Sequence, residues 1–255
     1  MSGPSPRPPR AAFGKLLLNE ARMAWRVPFG LLLGLGFPLL LLVIFGSSPK
    51  LTRPIPGLGG QSYFQASFPV LVGWTILALS CLVLPQTLVR YREMGVLRRL
   101  SVTPVPPTWL LAAQVVLNIG LAAVGMALLL IVGRAAFGLA LPKDIPGFWL
   151  VILLTITALF AIGLCMASVI SNSAAARAIG GLFFYAMLFF AGLWVPREMM
   201  SMPLREISDW TPLGASMAGI QNAMTGSFPP LQSLLLLAAD AVVFGYLAVH
   251  YFRWE

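Results

Sequence analysis

Apolar residues in this chain run in six nearly uncharged stretches, residues 29–46, 67–89, 110–133, 148–170, 178–195 and 230–249, each 18 to 24 residues long. A helix of about 20 residues rises ~30 Å, the thickness of a bilayer's hydrocarbon core. The pattern therefore predicts an all-α integral membrane protein with six transmembrane helices. Pro38, Pro69 and Pro85 fall inside these stretches, as membrane helices allow when neighbours satisfy the freed carbonyls.

Outside the spans, an N-terminal tail and three further segments carry a different pattern. Residues 1–10 are rich in Pro and Arg and are expected to be a disordered tail, leaving 11–255 as one six-span domain. In 11–26, Lys15, Asn19, Arg22 and Arg26 form a polar stripe opposite Phe13, Leu17, Ala21 and Ala24, with Trp25 at the end. This is the pattern of a basic helix lying in the membrane interface, although a solvated start to the first span fits it too. Residues 196–229 form the longest loop, and its second half repeats Leu213, Met217, Ile220 and Met224 at helical spacing. That helix is too short to span. It suits a re-entrant or interfacial helix, or a surface helix.

The third segment is charged. From Arg90 it reads RYREMGVLRRLSVTPVPPTW, with Met94, Leu97 and Leu100 on one helical face, rimmed by Arg92, Glu93, Arg98 and Arg99 and stopped by Thr103-Pro104 and Pro106-Pro107. An apolar face with a charged rim is a docking element for a soluble partner; a charged topology anchor has the same composition.

Composition agrees with the membrane reading. The 255 residues are 58% hydrophobic and 10% charged, against about 25% charged in soluble domains, and mean hydropathy is +0.87. The net charge of +9 flanks the spans, which points to topology and anionic lipid headgroups rather than nucleic acid. With the N-terminus inside, eleven Lys and Arg face the cytoplasm (Arg7, Arg10, Lys15, Arg22, Arg26, Arg90, Arg92, Arg98, Arg99, Arg177 and Arg253) and six face outward. Both termini are thus expected in the cytoplasm. The first span is too long for an ordinary signal-peptide core and lacks a clear cleavage site, so it is read as retained. Cys81 and Cys165 both sit inside spans and His250 is the single histidine, which argues against a disulfide framework or a zinc site.

The residues Glu93 to Pro106, EMGVLRRLSVTPVP, resemble the cytoplasmic loop of type-2 ABC exporter permeases. The resemblance continues over Ala191 to Gly226 through Gly192, Pro196, Met202-Pro203 and Pro212-Leu213. Both segments stand in the family's order, with the family's number of spans around each, and the actinobacterial drug-resistance branch is the most similar. One departure is visible: after Pro212-Leu213 come Gly214-Ala215, with no Arg before Gly226, so any role of such an Arg is not carried over.

The resemblance implies the following. Residues 11–26, with Lys15, Arg22, Trp25 and Arg26, would be an interfacial connecting helix. Residues 91–101 would be a coupling helix, with Glu93, Gly95, Leu97, Arg98, Leu100, Thr103 and Pro104 seated on an ATPase subunit. Pro196, Pro203, Pro212, Leu213 and Met217 would belong to an outer re-entrant cap. The second and fifth spans would line the route, with Trp74, Gln86, Phe184 and Met187 as candidate contacts. Two ATP-binding subunits, carrying ATP and Mg, and a second permease copy or homologue would complete an exporter in the cell membrane. This chain would hold no cofactor of its own. The residues agree that ATP is handled elsewhere, because Lys15, Lys50 and Lys143 are the only lysines and none stands in a G-x-x-x-x-G-K-[ST] loop.

The same residues bear on other functions. Asp240 is the only acid well inside a span. It is a candidate route or proton contact, as in a proton-coupled carrier or channel, or else a structural polar contact. Ser216 and His250 would have to meet for serine-nucleophile chemistry, yet the topology puts them on opposite sides. Sparse polar groups in the second span favour an apolar small molecule or lipid over a lipid-linked glycan as substrate.

Overall fold

The computed structural model describes residues 10–26, 28–58, 60–96, 107–195 and 197–251, and these are helical almost throughout, with a single isolated bridge between Pro54 and Ser62. Helix α1 is Arg10–Arg26. Helix α2 covers 28–47 as Pro28–Leu31, a π-helical stretch Leu32–Gly36 and Phe37–Ser47. Helix α3 is Tyr63–Glu93. It is followed by α4 (Pro107–Phe137), α5 (Ile145–Val169) and α6 (Ser173–Ala191). The chain ends in the short α7 (Met202–Asp209), α8 (Pro212–Thr225) and α9 (Leu231–Tyr251).

Among the described residues, α3, α5, α6, α9 and residues Thr108–Phe137 of α4 are long and apolar enough to cross a membrane, while Leu32–Ser47 is a shorter apolar helix. Five of the six expected spans thus appear as candidate spanning helices, with bounds that move by two to five residues where caps decide them. The fifth begins at Ser173, not Ala178, because Asn172 accepts from the Ala175 N–H at 2.7 Å and starts the helix early. It ends at Ala191, not Val195, because Gly192 takes the left-handed conformation (φ 94°). The second starts at Tyr63, where Ser62 and Gln65 form a reciprocal capping box.

Helix α3 is the centre of the bundle: 89% of its apolar window is buried, against 17% for α9. Helices α2, α5, α6 and α8 pack around it, and α9 leans on α5 and α8. Two prolines shape this centre. Pro38 follows the π stretch of α2, and the Leu33 carbonyl there accepts from Trp74 Nε1 at 2.9 Å. In α3 the π stretch Ala78–Val83 puts the Leu84 N–H on Leu79 O. Pro85, next in that register, has no N–H for Ser80 O. Helix α5 presents Gly163 against that carbonyl, so two backbones meet where a donor is missing.

Candidate functional site

One end of the bundle collects α1, the end of α3, the start of α4 and the α5–α6 turn. At this end the charged segment leaves the bundle. Helix α3 stops at Glu93, and Gly95 (φ +65°) turns the chain in a conformation that disfavours side chains. Leu97, Arg98, Leu100, Thr103 and Pro104 lie outside the described residues. Met94 is exposed, and Val96 packs with Leu16 against Tyr91 and Leu110.

The base of the segment is held from two sides. On the α1 side, Glu20 is 5% exposed. It accepts from Tyr91 Oη at 2.6 Å and from Gln114 Nε2. Tyr91 precedes the segment and Gln114 follows it, so one carboxylate joins both flanks to α1. Phe13 meets Trp109 edge-on at 5.6 Å. On the other side, Glu93 accepts from the Ser173 N–H at 2.8 Å and the Ser173 hydroxyl at 2.6 Å. Arg92 donates to the carbonyls of Ala167 and Ile170.

The polar stripe Lys15, Arg22 and Arg26 is exposed as expected, and so is Trp25. The inward face differs from the expected apolar stripe because it carries Glu20. Sequence reasoning missed Glu20, since an acid on a basic helix reads as solvated; the signal was its i+4 spacing from Leu16. Replacing Glu20 with Ala leaves two buried donors without their acceptor and is expected to cost about 1–3 kcal/mol. That would appear as a lowered unfolding midpoint in detergent, while Arg22→Ala, on the exposed stripe, leaves it unchanged.

The opposite end holds 197–226; Pro196, just before it, lies outside the described residues. Both halves of the segment are helical, where only the second was expected to be. Arg197 is the centre of this cap: it pairs with Asp209 and donates to Ser208 Oγ at 2.8 Å and Gly214 O at 2.6 Å. Ser208 Oγ donates to Phe190 O at the end of α6. Pro203 is exposed, and Pro212 opens α8 behind the Thr211 cap. Leu213 and Met217 are buried against α3 around Gly73. A cavity of about 100 Å³ lies between α3, the end of α6 and α8, with Ser67, Arg197, Arg205, Met217, Gln221 and Asn222 on its wall. Gln221 donates to Gln61 at 2.6 Å, tying α8 to the loop before α3.

The candidate route residues separate. Trp74 and Phe184 meet edge-on at 5.1 Å, and Trp74 stacks on Phe37 at 4.7 Å. Both are buried in the core of the single chain, so here they hold α2, α3 and α6 together instead of lining an open passage. Gln86 and Met187 are half-buried. Asp240 sits on α9, which packs on α5 and α8 away from this aromatic cluster. Its Oδ2 is buried with no hydrogen-bond partner among the described residues. Ser216 is fully buried and shares a hydrogen bond with Thr155 at 2.6 Å, while His250, near the far end of α9, stacks on Tyr246.

Comparison with known proteins agrees with this arrangement of apolar helices, charged base and distal cap. A profile of the ABC-2 type transporter family matches residues 11–225. Curated proteins give no match. The matched region runs from α1 through α8 and includes both the charged base and the cap, so the chain belongs to the ABC-2 type transporter family, as a multi-pass membrane permease that is a transport subunit and not itself a catalyst.

Proposed function

We propose that this chain is the transmembrane subunit of an ATP-driven exporter that moves a hydrophobic small molecule, a drug or natural product, or a lipid, out of the cytoplasm or inner leaflet. The observation that carries the reading is the base of the 94–106 segment. It leaves the bundle through a glycine turn and is anchored on one side to α1 and on the other to the α5–α6 turn. A passive loop needs no such anchoring, whereas a segment pushed by a partner does.

In this reading α2 is the first of six spans, completing the count, and both termini are cytoplasmic. The positive-inside pattern supports the orientation, since exposed Lys15, Arg22, Arg26 and Arg90 cluster at the anchored end. α1 lies in the inner interface, and residues 197–226 dip into the membrane from outside as a re-entrant cap. The coupling segment follows the Gly95 turn, since residues 91–93 of the expected 91–101 helix are the last residues of α3. Two ATPase subunits bind ATP and Mg, and a second permease copy or homologue completes the pathway. ATP closure of the ATPases shifts the permease pair from inward- to outward-open.

The exposed face of α6, with Ile179, Leu182, Tyr185 and Phe189, is apolar and adaptable, which favours apolar cargo over a lipid-linked glycan. The resemblance to the actinobacterial drug-resistance branch points the same way. The test is purification of the tagged chain from its own cells in mild detergent. A stoichiometric ATP-binding subunit is expected, and Leu97→Asp is expected to lose it while still inserting. Co-purification that survives Leu97→Asp would sink the coupling-helix assignment. No ATPase under any detergent condition would turn attention to Asp240 and carrier or channel function.

A further inference from the structure

The charged segment's own residues do not explain how its motion would reach α6. The two residues just before it do. Arg92 and Glu93 are consecutive at the end of α3, and they grip the two sides of one turn. Arg92 places Nη2 2.5 Å from Ala167 O and Nη1 3.4 Å from Ile170 O, at the carbonyl end of α5. Glu93 takes the N–H and hydroxyl of Ser173, at the amide end of α6. Each charge meets the helix end of opposite partial charge, and the bonds are charge-assisted. Only Ser171 and Asn172 separate the two grips.

We propose that Arg92 and Glu93 form a clamp that makes the α5–α6 turn follow the base of the 94–106 segment, so that a push on the segment is delivered to α6. Both are positioning residues; neither touches cargo. The inference rests on the functional reading above and adds the route of transmission within the chain. Glu20 plays a different part, because its bonds run from α1 to Tyr91 on α3 and Gln114 on α4 and reach neither α5 nor α6. The clamp therefore predicts a split: breaking it frees α6 from the segment while leaving α1 attached.

Ser173→Pro breaks the clamp with little collateral change. Ser173 is the first residue of α6, where proline is accepted. Asn172 before it has φ −137° and ψ 153°, the extended conformation a residue preceding proline needs. The Asn172 cap on Ala175 remains. The substitution removes the amide donor and the hydroxyl donor together. Ser173→Thr keeps both and serves as the conservative control.

The experiment uses the permease–ATPase complex carrying spin labels at Met94→Cys and Ile179→Cys, both exposed positions, with Cys165→Ala to remove the less buried native thiol. Electron–electron distances are compared without nucleotide and after trapping with ATP and vanadate. In the parent and in Ser173→Thr, the 94–179 distance is expected to stay fixed on trapping. In Ser173→Pro it is expected to change by more than the ~2 Å of ordinary helix adjustments, with ATP turnover within about twofold of the parent. A parent distance that changes on trapping would overturn the clamp, as would a Ser173→Pro distance that stays fixed. If Ser173→Pro does not fold, Glu93→Ala breaks the same grip on α6 from the other side and is read by the same distance, with the same two overturning results. Failure of any ATPase to accompany the parent chain is a separate outcome; it would overturn the functional reading and leave the clamp a packing contact.

Discussion

Gly163→Ala is expected to abolish stable folding or to lower the unfolding midpoint sharply. A Cβ at Gly163 would stand 2.8 Å from the carbonyl carbon of Ser80 and closer still to its oxygen. These are backbone atoms of α3, so no rotamer change relieves the clash. The carbonyl cannot swing away cheaply, because it belongs to the π stretch Ala78–Val83 and Pro85 offers it no N–H. Overpacking a core costs about 1–3 kcal/mol when side chains yield; here two central helices must separate, and the upper end of that range or beyond is expected. Gly180→Ala meets Cys81 O at 2.7 Å and should behave similarly but more mildly. Gly181→Ala, which meets nothing within 4 Å, is the control and should match the parent in fluorescence-detected size exclusion after heating. Equal midpoints for Gly163→Ala and Gly181→Ala would refute the close approach of α3 and α5.

The second large effect is expected at Arg197. Its side chain is 11% exposed and serves acceptors on α7 and α8: Asp209, Ser208 Oγ and Gly214 O. Truncation to Ala strands the Gly214 carbonyl in a site so tight that a Cβ on Gly214 would lie 2.6 Å from Ser208 Oγ. It also leaves Asp209 without its cation. Removing one partner of a fully buried pair costs about 3–5 kcal/mol. Asp209 is 35% exposed and water recovers part of that, so about 2–3 kcal/mol is expected here. Arg197→Lys should rescue little, because one ammonium on a flexible stem does not reproduce a planar fork across separate acceptors. Arg197→Ala/Asp209→Ala should recover part of the loss by removing the stranded carboxylate. The readout is the unfolding midpoint together with limited proteolysis, where cleavage within 197–226 should appear before cleavage elsewhere. A protease-resistant cap in Arg197→Ala would show that α8 holds itself in place through Leu213 and Met217 alone.

Both effects arise where the one-dimensional pattern is silent. Gly163 and Gly181 read alike as small residues in apolar runs. Only the packing of α3 on α5 separates them, through a carbonyl 83 residues earlier in the chain. Arg197 reads as one of several exposed charges in an outer loop, and its acceptors come from two later helices.

The membrane class and the positions of most helices were legible in the sequence. A run of about 20 uncharged residues has few alternatives to a helix in lipid, where every backbone group must be satisfied within the segment. The helix over 212–225 was legible for the same local reason, from the spacing of Leu213, Met217, Ile220 and Met224. Tertiary structure alone decided what the side chains on those helices meet. It buried Trp74 and Phe184 against each other in the core, put Asp240 on a helix apart from them, and turned Glu20 inward to Tyr91 and Gln114. It also joined Arg92 and Glu93 to a turn some 75 to 80 residues away. Periodicity says which residues share a helix face; which face meets which neighbour depends on distant contacts such as the meeting of Gly163 with Ser80, and no local spacing encodes them.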